Sequence, residues 1–118
     1  MKVILVDDEQ KFITMLAKRL AMRGIQADIA FTGDEAIKKN NNTIYDVAVL
    51  DIKMPGISGI QLKRKLSGLS PDLKFIFVTG HGEVGQSDEG HIEKDVYLPK
   101  PLDIEILIAK INELTKNG

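Results

Sequence analysis

The chain has 118 residues, no cysteine, and 16 basic and 17 acidic side chains, for a formal net charge of −1. This length suits one domain with a buried core. The lack of cysteine excludes disulfide and thiolate chemistry. The near-neutral net charge is a poor match to a nucleic-acid binder. No apolar stretch approaches the ~20 residues of a membrane span, and the N-terminal apolar run is shorter than a signal peptide. We therefore expect a cytoplasmic protein that binds neither membranes nor nucleic acid directly.

Short apolar runs recur five times along the chain. Runs of this length without helical spacing are typical of strands. The run before Asp51 is unbroken, which is typical of a strand covered on both faces in a parallel sheet. The predicted strands are residues 3–6, 25–30, 46–51, 75–78 and 95–98.

Between these strands the apolar spacing becomes that of helices. Phe12, Leu16 and Leu20 recur every fourth residue, and Gly24 is placed to end this first helix. The last helix follows Asp103, a predicted N-cap, and fits the i, i+3, i+4, i+7 template closely. The other predicted helices are residues 33–39, ended by three asparagines at 40–42, and a helix that begins at residue 58 or 59 and ends at 70–71.

Residues 80–94, between the fourth and fifth predicted strands, are the least regular part of the chain. Four of them are glycine, and Val84 and Ile92 are their only large aliphatic side chains. Glycine costs about 1 kcal/mol relative to alanine inside a helix. A fourth helix in this segment is therefore expected to be short or irregular, and the segment mobile.

The alternation of strands and helices predicts the fold class. Strands that alternate with helices form an α/β fold, in which right-handed crossovers build a parallel sheet with helices on both faces. We see no internal repeat and no linker, so we expect residues 1–118 to form one domain.

Polar side chains with complementary charges follow four of the predicted strands. Asp7 and Asp8 follow the first, Asp51 ends the third, and Thr79 and Lys100 follow the fourth and fifth. Because parallel strands end at one edge of the sheet, these side chains are expected to converge there. Carboxylates packed together repel each other unless a cation compensates, and Mg²⁺ suits one or two carboxylates with waters and phosphate oxygens. The set predicts phosphoryl transfer onto Asp51.

Each of these residues also has an ordinary structural interpretation when it is taken alone. Asp7 and Asp8 are plausible helix caps, and Asp51 is a plausible turn residue. Thr79 could bond to the backbone at the end of its strand, and Lys100 could be a solvated surface charge. The expected convergence of all of them favours a functional site.

Four motifs occur in order along the chain: VDDE at 6–9, LDIKMPG at 50–56 with glycine at 59, VTGHG at 78–82, and LPKPL at 98–102. In these motifs and their order, the chain resembles the receiver domain of two-component response regulators over essentially its full length. That resemblance implies a flavodoxin-like, doubly wound sandwich, with a five-stranded parallel sheet of order 2-1-3-4-5.

The resemblance also implies a phosphoacceptor and a metal site. It identifies Asp51 as the phosphoacceptor and as a direct ligand of Mg²⁺, or of Mn²⁺. Asp8 is implied as a second direct ligand, Lys53 as a ligand through its backbone carbonyl, and Asp7 as a ligand through water.

Further roles are implied for residues around the phosphoryl group. Thr79 is expected to bond a phosphoryl oxygen, and Lys100 is expected to pair with the phosphoryl charge. The peptide bond between Lys100 and Pro101 is expected to be cis. Tyr97 is expected to turn inward when Thr79 moves, which makes these two the switch residues. The implied phosphoryl donor is a histidine kinase or a histidine phosphotransfer protein, and the implied recipient of the signal is an output domain or effector protein.

Two other functions stay open on the residues alone. One is a pseudo-receiver, an interaction module with the same fold and no phosphotransfer, although none of the key residues is missing here. The other is a Mg²⁺-dependent phosphatase with an aspartyl nucleophile, which usually carries a second acidic residue where this chain has Lys53. On the leading hypothesis the chain is a signalling domain and not an enzyme.

Overall fold

The structure is a computed structural model that describes residues 1–80 and 96–116. These residues form five strands and four helices. In chain order they are β1 (Lys2–Val6), α1 (Gln10–Met22), β2 (Gln26–Ala30), α2 (Gly33–Asn42), β3 (Val47–Asp51), α3 (Gly59–Leu69), β4 (Lys74–Thr79), β5 (Val96–Pro99) and α4 (Ile104–Thr115).

The five strands form one parallel sheet in the order β2-β1-β3-β4-β5. Val6 at the end of β1 pairs with Leu50 of β3, and Thr79 at the end of β4 pairs with Pro99 of β5. The ends of the strands are therefore in register along one edge. The predicted α/β fold and its 2-1-3-4-5 order are confirmed.

Helices cover both faces of this sheet, and each face has its own hydrophobic core. β3 is buried along its whole length and alternates between the cores, as side chains along a strand do. Ala48 and Leu50 pack with α2 and α3, whereas Val47 and Val49 pack with α1 and α4. This double burial explains the unbroken apolar run before Asp51.

The predicted end of α2 at residue 39 is wrong, because the helix continues through all three asparagines and ends at Asn42. Asn40 is buried, and its side-chain Nδ2 donates a hydrogen bond of 3.0 Å to Oγ of Ser70. Nδ2 of Asn42 donates to the carbonyl of Lys38 at 3.3 Å. These bonds favour the helical position of residues whose intrinsic helix propensity is low.

Two predicted helix ends are confirmed. After α1, Gly24 has a φ of +81° and its N–H donates to the carbonyl of Ala21, a backbone conformation that side chains other than glycine rarely adopt. Asp103 caps α4, and its Oδ1 accepts from the backbone N–H groups of Glu105 and Ile106.

The helix predicted between β4 and β5 lies, apart from Gly80, outside the described residues, as does the expected mobility of that segment. Within residues 1–80 and 96–116, no helix has both the length and the apolar character to cross a membrane.

Candidate functional site

The carboxylates of Asp7, Asp8 and Asp51 meet at the edge of the sheet where the parallel strands end. Each offers an oxygen within 4.8 Å of the other two. Asp7 and Asp51 are only 3% and 5% exposed, whereas Asp8 faces solvent. The convergence follows from the fold, because β1 and β3 are adjacent, parallel and in register. Two of these carboxylates thus lose most of their contact with water while standing beside a third.

Lys100 brings a positive charge to this cluster. Its Nζ lies 3.1 Å from Oδ2 of Asp7 and 3.8 Å from Oδ1 of Asp51, and it forms an ion pair with Glu9. Partial burial by itself lowers the pKa of Lys100, but the hydrogen bonds to Glu9 and Asp7 and the charge of Asp51 outweigh it and raise that pKa. The ammonium group therefore stays charged at neutral pH.

The donor set fits a divalent cation such as Mg²⁺. Lys100 contacts three carboxylates, and Asp8 adds a fourth to the same cluster, so negative charge exceeds positive charge there. Hard oxygen ligands with room for water are what Mg²⁺ prefers. Lys53 is exposed and lies two residues after Asp51, so its backbone leaves the sheet at this same strand end.

Burial raises the pKa of Asp7 above its ordinary value of 3.8. Two effects oppose the shift. The backbone N–H of Glu9 donates to Oδ1 of Asp7 at 2.9 Å, and Lys100 attracts the carboxylate. Since burial outweighs both effects, keeping Asp7 ionised lowers the free energy of unfolding.

Replacing Asp7 with asparagine is therefore expected to stabilise the protein at pH 7 in EDTA, by roughly 1 kcal/mol, the usual size of a stabilising substitution. A raised pKa in the folded state means that the stabilisation from Asp7 is full below 3.8 and is lost as the pH rises through the raised value. Asparagine keeps the acceptor for the N–H of Glu9 without the charge. Urea unfolding of both proteins checks this.

The matched control for that measurement is Asp8→Asn, which removes the same charge at an exposed position and should change the unfolding free energy less. Added Mg²⁺ should stabilise the wild type more than Asp7→Asn. A lower unfolding free energy for Asp7→Asn in EDTA would contradict the argument.

Thr79 lies fully buried at the end of β4, directly after Val78, which pairs with Asp51 of β3. Its Oγ1 donates to the carbonyl of Gly80 at 3.1 Å, and the backbone N–H of Lys100 donates to the carbonyl of Thr79 at 2.9 Å. The hydroxyl thus has the ordinary backbone contact of a strand end. The peptide bond between Lys100 and Pro101 is cis, as expected.

Tyr97 is partly buried in β5, one strand away from Thr79. Its ring stacks on Phe77 with centroids 5.3 Å apart. Phe77 and Thr79 are two residues apart on one strand and so face the same side of the sheet. The Tyr97 ring therefore packs on the face of the sheet to which Thr79 points.

Glu9 and Phe12 are site residues that our sequence analysis missed. Glu9, and not Asp8, is the N-cap of α1, and it makes no side-chain cap bond. Its carboxylate pairs with Lys100, whose Nζ also lies 5.1 Å from the centroid of the Phe12 ring. The N-cap and the third residue of a helix lie close together. A glutamate and an aromatic residue at this spacing, directly after Asp7 and Asp8, were therefore a usable signal in the sequence.

Several known proteins have sequences similar to that of this chain. The family model described as "Response regulator receiver domain" matches residues 3–112. "Transcriptional regulatory protein TctD" of Salmonella typhimurium is 31% identical over 119 residues, which cover 100% of this chain and 53% of that protein. The chain thus spans about half the length of the curated relatives it matches.

Solved structures of response regulators are also similar to this chain. The receiver domain of the Francisella response regulator 1452 is 33% identical, with a TM-score of 0.82 over 98% of this chain and 97% of that one. The response regulator TrrA from Thermotoga maritima, solved in complex with Mg²⁺-BeF, is 33% identical, with a TM-score of 0.83 over 96% of this chain and 97% of that one. Since the family model matches residues 3–112, which is most of the chain, this chain belongs to the response regulator receiver domain family.

Proposed function

We propose that this chain is a phosphoacceptor receiver, which takes a phosphoryl group onto Asp51 from the phosphohistidine of a histidine kinase or histidine phosphotransfer protein. One observation carries the proposal: the buried Asp51 carboxylate shares an acidic cluster with Asp7 and Asp8, and Lys100 lies 3.8 Å from it. Receiver domains in general are not enzymes. We place this one in the cytoplasm, as a single domain over residues 1–118.

In the proposed transfer, an Oδ atom of Asp51 attacks phosphorus in line with the bond that breaks. A P–O bond forms, the P–N bond to the donor histidine breaks, and its electron pair returns to the imidazole nitrogen. Lys100 holds a phosphoryl oxygen by charge. Asp8, Asp51 and the carbonyl of Lys53 would hold Mg²⁺ directly and Asp7 through water, and the ion when bound neutralises charge on the phosphoryl oxygens.

The switch residues are Thr79 and Tyr97. The Thr79 hydroxyl leaves the carbonyl of Gly80, which it contacts at 3.1 Å, and donates to a phosphoryl oxygen. Tyr97 then turns further inward from its stack on Phe77. Coupling of this kind is typically worth about 1–3 kcal/mol, so some active-like conformation is expected without phosphate.

The output of the switch lies outside this chain. TctD and CutR are named transcriptional regulatory proteins, and each is about twice as long as the region matched here. We propose that the phosphorylated domain signals to an output domain or effector protein, and that any contact with nucleic acid is made by that partner.

Acetyl phosphate supplies the direct test of this function. In Mg²⁺, the intact protein should gain the mass of one phosphoryl group, and in EDTA it should gain none. Beryllofluoride, the phosphoryl analogue bound to TrrA, should give a saturable change in the NMR spectrum. A chain that responds to neither is an interaction module and not a phosphoacceptor. Turnover of a generic phosphomonoester would favour the phosphatase instead.

A further inference from the structure

We propose that Glu9 is a positioning residue that competes with the phosphoryl group on Asp51 for the ammonium of Lys100. The inference rests on the proposed function, because it concerns the strength with which Lys100 holds a phosphoryl oxygen. It assigns to the exposed N-cap residue of α1 a part in setting how readily the domain is phosphorylated.

The contacts of Lys100 show where its ammonium rests. Glu9 pairs with it directly, Asp7 lies at 3.1 Å and Asp51 at 3.8 Å. Hydrogen bonds to oxygen fall at about 2.7–3.2 Å, so Lys100 bonds to Glu9 and Asp7 and reaches Asp51 only through its charge. The raised pKa of Lys100 has the same hydrogen-bond partners among its causes.

A second contact from α1 supports this resting position. The Phe12 ring lies beneath the ammonium at 5.1 Å, in the first turn of α1 and three residues after the N-cap Glu9. Cation–π and charge contacts from the start of α1 thus hold Lys100 on its α1 side. The Glu9 side chain is 61% exposed and that of Lys100 is 20% exposed, so water can replace Lys100 on Glu9 when the pair opens.

A phosphoryl group on Asp51 changes this balance because it adds negative charge close to Lys100. The ammonium has three donors, and a full bond to a phosphoryl oxygen draws it toward Asp51 and away from Glu9. The Glu9 contact is then lost, and the free energy lost with it weakens phosphoryl binding. Without Glu9, Lys100 is held by fewer competitors and binds the phosphoryl group more tightly.

The test is the affinity of beryllofluoride at saturating Mg²⁺ for the wild type, Glu9→Gln and Glu113→Gln. Glu113 is the matched control, since it is also an exposed glutamate in an ion pair, with Lys110 at 3.7 Å, but lies near the far end of α4. Because exposed pairs are weak, Glu9→Gln is expected to tighten binding by about two- to fivefold, while Glu113→Gln leaves it unchanged. The Mg²⁺ affinity of each protein is measured separately, so that saturation is assured.

A second readout reports on Lys100 itself. Without beryllofluoride, the ¹³Cε and ¹⁵Nζ resonances of Lys100 should move in Glu9→Gln and stay in place in Glu113→Gln. A merely structural role for Glu9 would leave these resonances unmoved.

Each outcome decides the matter. Weaker or unchanged beryllofluoride binding by Glu9→Gln at saturating Mg²⁺ overturns the inference and leaves the proposed function standing, as does an unmoved Lys100 signal. Failure of the wild type to bind beryllofluoride at all removes the proposed function, and the inference with it.

Discussion

Replacing Asp51 with asparagine is expected to abolish the phosphoryl mass gain that acetyl phosphate and Mg²⁺ should produce in the wild type. The amide has no anionic oxygen to attack phosphorus, and Asp51 is the buried carboxylate at the end of the central strand. The variant should fold normally, because asparagine has nearly the same shape and removes one of three close negative charges. Intact-mass measurement and urea unfolding check the two expectations.

Asp8→Asn is the matched control for Asp51→Asn. This variant removes one charge from the same cluster but keeps Asp51, the proposed phosphoacceptor. It should therefore still take a phosphoryl group, but at a higher Mg²⁺ concentration, because one proposed ligand of the ion is lost. If Asp51→Asn gained the full mass while Asp8→Asn did not, the phosphoacceptor would have to be reassigned. If both variants gained the mass of a phosphoryl group, the phosphorylated residue would lie outside the cluster.

The second large effect is expected from Gly59→Ala, at the start of α3. A Cβ atom on Gly59 would collide with the backbone carbonyl oxygen of Asp51 and would lie 2.9 Å from Cα of Ile52. The backbone is tied at this point, since the N–H of Gly59 donates to the carbonyl of Ile52 at 2.8 Å. Overpacking against an immobile backbone should lower the unfolding free energy by about 3 kcal/mol, and it should also move Asp51.

The same helix contains the control for this substitution. Gly68 is exposed, and a Cβ atom there would meet nothing within 4 Å. Gly68→Ala should therefore raise the unfolding free energy by about 0.5–1 kcal/mol through helix propensity. Urea denaturation measures both variants, and a Gly59→Ala protein as stable as the wild type would show that the β3–α3 turn can yield.

Much of the fold was predictable because strands and helices have different apolar periods. The unbroken run before Asp51 predicted a strand buried on both faces, and β3 is buried throughout. Asp103 was recognisable as a cap from its position before an apolar helical repeat, and it accepts two backbone hydrogen bonds. These features depend on residues close in the chain, so local sequence contains the information.

Features that depend on distant partners were less accessible. Three asparagines in a row are weak helix formers, yet Asn40 is helical and buried, and its Nδ2 donates to Oγ of Ser70, which is 30 positions away in the chain. Tyr45 is another case. It is buried and donates to Asp28 at 2.6 Å, and burial, followed by that hydrogen bond, raises its pKa to about 12. Neither pairing has a signal in the local pattern.

The candidate site shows the same division. The convergence of Asp7, Asp8, Asp51, Thr79 and Lys100 was predictable from the sequence, because each ends or follows a strand and parallel strands end at one edge. How the Lys100 charge is shared among Asp7, Asp51 and Glu9 was not predictable, because Glu9 lies 91 positions away in the chain. The spacing of apolar residues and the ends of strands are local properties of the sequence. The partners of a long, flexible side chain such as Lys100 depend instead on which residues the fold brings close to it.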